Sequence, residues 1–218
     1  MTMSALAHAE DAVAFDQATV HVIDDDISLR EALALLLPSV GHDVRTYASV
    51  QEFLDAGSHD NPGCIILDVR LPGISGLDFQ SRCDGFGVHL PIVLMTGHSD
   101  VPMSVRAMKA GAVDFLPKPF RDQDMIDAVT AAIERDRERR ATNSAAADIR
   151  DRHTSLSPRE QQVMTMVTAG KMNKQVAGDL GISEITVKIH RGAAMRKMGA
   201  KTIADLVRMA ELLKPKPP

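Results

Sequence analysis

The sequence has no tryptophan and one tyrosine in 218 residues, and its two cysteines, Cys64 and Cys83, lack any metal-type spacing. This cysteine usage argues against a zinc centre or a disulfide framework and favours reduced, packed thiols. No apolar run approaches the roughly 18 residues that a membrane-spanning helix needs. The first 18 residues have neither a basic start nor an apolar stretch, so we expect no signal peptide. These absences predict a cytoplasmic protein with no membrane partner.

Charge divides the chain unevenly. Residues 1–150 carry 13 basic and 23 acidic side chains, a net charge of −10, whereas residues 151–218 carry 12 and 6, a net charge of +6. An acidic part followed by a compact basic part favours a cation site in the first and a nucleic-acid surface in the second. Two merely solvated surfaces are the alternative that charge alone leaves open.

The first part of the chain alternates short apolar or β-branched runs with helical patterns. The runs cover residues 19–23, 42–47, 64–68, 91–96 and 113–116. Such a rhythm predicts an α/β fold in which a parallel sheet is covered by helices on both faces. The helix after the fifth run is predicted from Asp122 to about Arg140. Its charged end after Ile133 is expected to be solvated, with a pairing coiled coil as the alternative.

Acidic side chains follow two strands that we expect to be neighbours. Asp24 and Asp25 end the first strand and Asp68 ends the third, the apolar run I-I-L-D. Three crowded carboxylates repel each other unless a divalent cation lies between them, and hard oxygen ligands suit Mg²⁺. A metal-bound carboxylate can attack a phosphoryl group, whose oxygens then need a cation and a donor. Thr96 and Lys118, at the ends of the fourth and fifth strands, are placed to supply them.

Four motifs, V-I-D-D-D, I-I-L-D, M-T-G and L-P-K-P-F, occur in this order, each at the end of a predicted strand. Together they resemble the receiver domain of bacterial two-component response regulators over about residues 19–138. The stretch V-P-M-S-V-R-A-M-K-A-G-A-V-D-F-L-P-K-P-F is especially similar to the nitrogen-fixation and nitrogen-regulation members. The resemblance implies a flavodoxin-like (βα)5 doubly wound sheet of order 2-1-3-4-5. It also implies no enzyme beyond a receiver that catalyses its own phosphorylation and dephosphorylation.

The resemblance also assigns the ligands of the site. Asp68 is the residue that accepts a phosphoryl group from a sensor histidine kinase. Asp25 binds Mg²⁺ (or Mn²⁺) directly and Asp24 through water, and the backbone carbonyl of Arg70 is a further ligand.

A switch is implied by the same resemblance. Thr96 and Lys118 contact the phosphoryl group, and the peptide before Pro119 is cis. Thr96 moves toward the phosphate and Phe115 turns inward to fill the space. Flanking side chains, Arg70 and His98, are expected to tune the lifetime of the phosphate.

The basic part of the chain reads as a series of helices. S-P-R-E at residues 157–160 is a capping box, Asn173 is predicted to cap a short helix ending at Leu180, and Ser183 caps a longer one from Glu184 to about Met198. These are the parts of a helix-turn-helix. One side of the longer helix is predicted to pack inward, through Val187, Ala194 and Met198. The outward side carries Lys188, Ile189, Gly192 and Arg196, which suits a major groove. The residues expected to contact DNA are Asn173, Lys174, Thr186, Lys188, Ile189, Arg191 and Lys197.

The stretches L-S-P-R-E-Q-Q-V-M and G-K-M-N-K-Q-V-A-G-D-L-G-I-S-E-I-T-V-K-I-H-R are similar to the LuxR/FixJ-type four-helix DNA-binding domain. This resemblance implies a homodimer on promoter DNA, with RNA polymerase as a further partner. It places dimer contacts on the last helix, at Leu206, Val207, Ala210 and Leu213. The predicted domains are a flexible leader (1–18), a receiver (19–138), a linker (139–154) and a helix-turn-helix domain (155–218).

The sequence therefore favours a transcriptional regulator whose phosphorylation at Asp68 promotes dimerisation and promoter binding. Two alternatives stay open at this point. Asp24-x-Asp26 after apolar residues is similar to the haloacid-dehalogenase-type phosphatases, which also use an aspartate nucleophile. The other alternative is a phosphorylation-dependent regulator of protein interactions with no DNA role.

Overall fold

The computed structural model describes residues 18–57, 59–97 and 101–214. The chain divides between Arg139 and Arg140 into two compact units. The domain limits predicted from the sequence stay predictions, and residues 1–17 of the expected leader lie outside the described ranges. Within those ranges, no helix is both long enough and apolar enough to cross a bilayer.

The first unit is a parallel sheet with a helix after each strand. The strands are β1 (Thr19–Ile23), β2 (Asp43–Tyr47), β3 (Gly63–Asp68), β4 (Ile92–Thr96) and β5 (Asp114–Pro117). The helices that follow them are α1 (Ile27–Ser39), α2 (Val50–Asp55), α3 (Gly76–Arg82), α4 (Val101–Lys109) and α5 (Asp122–Thr154). A 3-10 turn, Cys83–Phe86, extends α3. All strand pairs are parallel in the order β2-β1-β3-β4-β5, which confirms the predicted fold.

Alternation along the strands gives the sheet two apolar faces. On one face Ile65 packs in a cluster with Phe53 of α2 and Phe79 of α3. On the other face Ile66 packs with residues of α1 and α5, among them Met125. Because helices cover both faces, the central strands β3 and β4 are apolar until their last residues, Asp68 and Thr96.

The third aspartate of the V-I-D-D-D motif has a structural role. Asp26 is the N-cap of α1, and its Oδ1 accepts hydrogen bonds from the backbone N–H groups of Ser28 (2.9 Å) and Leu29 (3.4 Å). A side-chain acceptor at this position satisfies donors that the first helical turn leaves free. Asp26 thereby fixes the start of α1 directly after the acidic loop.

Helix α5 is longer than the sequence predicted. It continues past Arg140 to Thr154, so the expected end near Arg140 was wrong. Two properties of the extra segment account for this. Alanines at 141 and 145–147 favour helix strongly, and Ile149 packs against the core of the second unit.

The prediction that the charged run after Ile133 is solvated all round was wrong. Asp136 is only 1% exposed, and its Oδ2 accepts a hydrogen bond from the backbone N–H of Gly63 at 3.1 Å. Its Oδ1 accepts two more from the guanidinium of Arg139. Asp136 therefore ties α5 to the start of β3, a contact that no helical period reveals.

The second unit is all-α. After the end of α5 it contains α6 (Pro158–Thr168), α7 (Asn173–Leu180), α8 (Glu184–Met198) and α9 (Ile203–Leu213). The capping box at Ser157 and the Ser183 cap of α8 are confirmed. Asn173 is the first residue of α7 rather than its cap, which is Met172, so that prediction was wrong. The reason is a bond from the Met172 N–H to the Gln175 side chain at 2.8 Å, which leaves the Asn173 side chain for another partner.

Two apolar clusters fill the second unit. Val187 packs with α6 and α7 residues in one, and Ala194 and Met198 pack in the other, so the inward face predicted for α8 is confirmed. Leu206 of α9 is 0% exposed inside the second cluster. The predicted dimer contact at Leu206 was therefore wrong, because the side chain is used within its own unit.

Candidate functional site

The three predicted carboxylates meet at the carboxyl edge of the sheet. Asp68 is the last residue of β3, and Asp24 follows β1 with its N–H bonded to the Tyr47 carbonyl at 3.1 Å. The pairing of Ile23 with Leu67 brings the two strand ends side by side. One carboxylate oxygen from each of Asp24, Asp25 and Asp68 lies within 4.8 Å of the others. Asp24 and Asp68 are buried and Asp25 is exposed, so the cluster opens to solvent on one side.

Lys118 is the cation of the cluster. Its Nζ lies 2.5 Å from Asp24 Oδ2 and 3.2 Å from Asp68 Oδ1. The Lys118 N–H donates to the Thr96 carbonyl at 2.7 Å, which holds the end of β5 against the end of β4. The peptide between Lys118 and Pro119 is cis, as the resemblance implied.

Burial and charge shift the two ionisable groups that face each other. Burial raises the pKa of Asp68 above its ordinary value; Lys118 opposes this shift, and the charges of Asp24 and Asp25 add to it. Burial alone lowers the pKa of Lys118, but the hydrogen bond and charge of Asp24, with those of Asp68, outweigh it and raise that pKa. Lys118 is therefore charged at neutral pH and partly compensates the acidic cluster.

The predicted switch residues lie on β4 and β5, the two strands that follow β3 in the order of the sheet. Thr96 ends β4 and is fully buried. Phe115 of β5 is half-buried and packs against the first apolar cluster, next to Leu94 in the strand register. Arg70, two residues after Asp68, has an exposed side chain. His98 lies outside the described residues.

The donor set fits a small divalent cation. Asp68 Oδ1 is buried and lies 3.2 Å from the Lys118 ammonium, so a single positive side chain faces the three carboxylates. Three crowded carboxylates with one ammonium group keep a net negative charge, which favours the binding of a further cation. Hard oxygen ligands on a partly open site are what Mg²⁺ binds.

Two residues of this site had no signal in the sequence. Arg30 of α1 donates from Nη1 to the backbone carbonyl of Asp24 at 2.6 Å, so it anchors the acidic loop to the helix. Gly76, the first residue of α3, lies so close to β3 that a Cβ there would be 2.2 Å from the Asp68 carbonyl oxygen. Both residues contact the backbone carbonyl of a site aspartate, and only the folded chain brings them into that contact.

The predicted DNA face of α8 is mostly free. Lys188, Ile189 and Arg196 are exposed, and so is Ile185, which was not among the residues expected to contact DNA. Thr186 is half-buried, and its Oγ1 lies 2.8 Å from the hydroxyl oxygen of Ser183.

Other predicted DNA contacts have partners within the unit. Arg191 donates to Asn173 Oδ1 at 3.1 Å, which joins α8 to the start of α7. Lys197 donates to Glu160 Oε2 at 2.7 Å and is thereby held against α6. Lys174 is exposed on α7.

Comparison with known families matches both units. Residues 20–130 match the family described as response regulator receiver domain. Residues 154–210 match the bacterial regulatory proteins of the luxR family.

Relatives align over almost the whole chain. Nodulation protein W of Bradyrhizobium diazoefficiens is 54% identical over 197 residues, which cover 90% of this chain and 87% of that protein. Transcriptional regulatory protein FixJ of Azorhizobium caulinodans is 48% identical over 193 residues, or 88% and 92%. Among solved structures, response regulator StyR aligns at 44% identity with a TM-score of 0.78, covering 89% of this chain and 98% of that one. Full-length FixJ from B. japonicum aligns at 42% identity with a TM-score of 0.55, and the alignment covers 89% of this chain and 96% of that one.

A receiver sheet with an acidic cluster is the mark of the response regulators of two-component systems, and a helix-turn-helix unit after it is the mark of their DNA-binding members. The chain belongs to that family, in the group with a luxR-type DNA-binding domain that includes FixJ. It is thus a DNA-binding transcriptional regulator rather than an enzyme in the ordinary sense. A receiver domain implies a histidine kinase as partner, and a luxR-type domain implies DNA as the other.

Proposed function

We propose that Asp68 is the phosphoacceptor of this regulator. An Asp68 oxygen attacks the phosphorus of a phosphohistidine on the sensor kinase, and the bond from phosphorus to the histidine nitrogen breaks as the new bond forms. The position of Asp68 supports this role, because its carboxylate lies beside two further acidic residues and 3.2 Å from the Lys118 ammonium, which can stabilise charge on the transferring phosphoryl group. Small phosphoryl donors serve in the same way, so the receiver catalyses its own phosphorylation and, with water, its own dephosphorylation.

The acidic residues divide the work of holding a cation. Asp25 and Asp68, with the Arg70 carbonyl, are the proposed direct ligands of Mg²⁺ (or Mn²⁺). Asp24 acts through water, since its Oδ1 already accepts from the Asp26 N–H at 2.9 Å and its Oδ2 from Lys118. When bound, the cation neutralises charge on the transferring phosphoryl oxygens. The hydrogen bond from Arg30 to the Asp24 carbonyl keeps the Asp24 backbone in place while the phosphoryl group is transferred.

Lys118 changes partner in this scheme. It begins on Asp24 and Asp68 and then contacts a phosphoryl oxygen on Asp68, while Thr96 supplies a hydroxyl donor from the end of β4. Movement of Thr96 leaves space that the half-buried Phe115 ring fills. The surface of α4, β5 and α5 changes as a result, a two-state element biased by one local charge.

The output is proposed to be dimerisation and promoter binding. Helix α8 enters the major groove, where Lys188 and Ile189 face bases. Phosphates are contacted by Lys174, Thr186, Arg191 and the amide end of α7 at Asn173. On α9 we keep Val207, Ala210 and Leu213 as dimer contacts without Leu206. RNA polymerase is the proposed partner of the DNA-bound dimer.

Labelling with acetyl phosphate and Mg²⁺ tests the phosphoacceptor. Intact-mass analysis should show one acid-labile phosphate on the native chain and none on Asp68→Asn. Asp84→Asn is the matched control, because that carboxylate is fully exposed and remote from the carboxyl edge of the sheet. A labile phosphate that persists in Asp68→Asn would refute the assignment.

The phosphatase alternative loses its support in the geometry. Its second aspartate would be Asp26, which caps α1, and its nucleophile Asp24 is held by both Lys118 and the Asp26 N–H. Both oxygens of Asp24 thus accept hydrogen bonds, and Asp26 is used as a helix cap.

A further inference from the structure

Two large apolar side chains stand in solvent on the helix that we assign to the major groove. Ile185 is 74% exposed and Ile189 is 63% exposed, both on α8. No apolar cluster of the second unit includes either of them. We call these two side chains the isoleucine ridge.

The ridge points directly away from the core of its unit. Successive residues of an α-helix are about 100° apart, so the buried Val187, Ala194 and Met198 share one side. Ile185 and Ile189 lie about 40° apart on the opposite side, and about 6 Å apart along the axis. On this side of α8 the first two turns are therefore apolar, and the exposed Arg196 follows on the same side two turns after Ile189.

The surroundings of the ridge identify the partner. Lys188 and Arg196 are exposed beside it. Gly192 follows on the same side, and a Cβ there would meet only the Arg196 guanidinium, at 3.7 Å. Cations flanking an open apolar strip match a groove with phosphates at its walls and methyl groups on its floor. The thymine 5-methyl is the apolar group that the major groove displays.

We infer that the isoleucine ridge reads the 5-methyl groups of two thymines in the half-site. Base pairs rise about 3.4 Å per step, so side chains about 6 Å apart meet thymines one or two steps apart. The inference rests on the proposed DNA interface and adds the bases that it selects. It makes Ile185, beside Ile189, a specificity-determining residue.

Uracil substitution tests the ridge, because uracil pairs like thymine but lacks the methyl group. Full-length protein treated with acetyl phosphate is first used to select a bound site from a random pool. Each thymine of that site is then replaced by uracil, and the Kd is measured for the native chain, Ile185→Ala and Ile189→Ala. Leu35→Ala is the matched control, since Leu35 is an equally exposed apolar residue on α1.

We expect uracil to weaken native binding about fourfold at each of two thymines, the value for one buried methyl-sized group. Ile185→Ala should remove the loss at one position and Ile189→Ala at the other, whereas Leu35→Ala should keep both. Both alanine changes are on exposed positions, and circular dichroism checks that the variants are folded. Tight binding with no uracil effect, or with losses that persist in both isoleucine variants, overturns the ridge alone. Failure to select any DNA overturns the DNA interface with it.

Discussion

The carboxylate site and the recognition helix treat charge in opposite ways. At the sheet edge Asp24 and Asp68 are buried, and Lys118 is held between them before any ligand arrives. On α8, Lys188 and Arg196 project into solvent. Buried charge suits group transfer, because in a site with little water a charge held nearby strongly stabilises the charge that develops on the reacting group. Exposed charge suits DNA, where counterion release makes binding favourable and dependent on salt.

Metal removal should separate the two regions most sharply. With EDTA present, acetyl phosphate should add no phosphate to Asp68, because the carboxylate cluster then repels the incoming anion. Mg²⁺ or Mn²⁺ should restore labelling, as measured by intact mass. DNA affinity of the unphosphorylated chain, measured at constant ionic strength, should not change with EDTA. Full labelling without a divalent cation would contradict the proposed role of Asp25 and Asp68.

A pair of glycine substitutions compares the packing of the two units. Gly76→Ala should lower the stability of the first unit by about 3 kcal/mol, because the new Cβ would overlap the Asp68 carbonyl at 2.2 Å. Gly178→Ala should raise that of the second by about 0.5–1 kcal/mol, since nothing lies within 4 Å and Gly178 is inside α7. Hydrogen-exchange mass spectrometry reports each unit separately. If the amides of the first unit exchanged as slowly in Gly76→Ala as in the native chain, the close approach at Gly76 would be contradicted.

The strands and the site residues could be predicted because both follow local rules. Each apolar run ends where a polar residue begins, and parallel strands place those ends at one edge, so Asp68, Thr96 and Lys118 had to meet. The start of α6 could be predicted for the same reason, because the side chains of Ser157 and Glu160 accept hydrogen bonds from each other's backbone N–H groups.

What could not be predicted depends on contacts between distant segments. Asp136 lies in a run of charges that looks solvated, yet it is buried because Gly63 needs an acceptor 73 residues away in sequence. The length of α5 depends on Ile149 reaching a core built by later helices. Ile185 could not be predicted as a surface residue, because an isoleucine near the start of a helix is usually buried and only the fold shows that this one is exposed.

Acid should weaken the first unit through His21. This side chain is 2% exposed, its Nδ1 lies 3.2 Å from the Tyr47 hydroxyl, and its Nε2 has no partner. Burial, then the nearby His59 and Arg45, lowers the pKa of His21 to about 4. The unfolded chain binds a proton near pH 6.5 and the folded chain does not, so stability falls as pH drops from about 6.5 toward 4.

At pH 5 this linkage amounts to about 2 kcal/mol, given about 1.4 kcal/mol per pKa unit. Hydrogen exchange at pH 7.5 and pH 5, corrected for its intrinsic rate, measures the difference. His21→Phe should remove most of it, whereas His89→Gln, at an exposed histidine, should leave it intact. The same pH dependence in His21→Phe would show that another group carries the proton.

The smallest effect concerns Lys197, which the sequence placed on DNA phosphate. The structure pairs it with Glu160 at 2.7 Å, and the Glu160 pKa is lowered first by that hydrogen bond and then by Ser157. A cation already neutralised releases no counterion on binding. We therefore expect Lys197→Ala to leave the slope of log K against log salt unchanged, while Lys174→Ala reduces its magnitude by about one per contact. Equal changes of slope in the two variants would mean that Lys197 leaves Glu160 and binds DNA. Pairing with a carboxylate would then not keep a lysine of α8 from contacting phosphate.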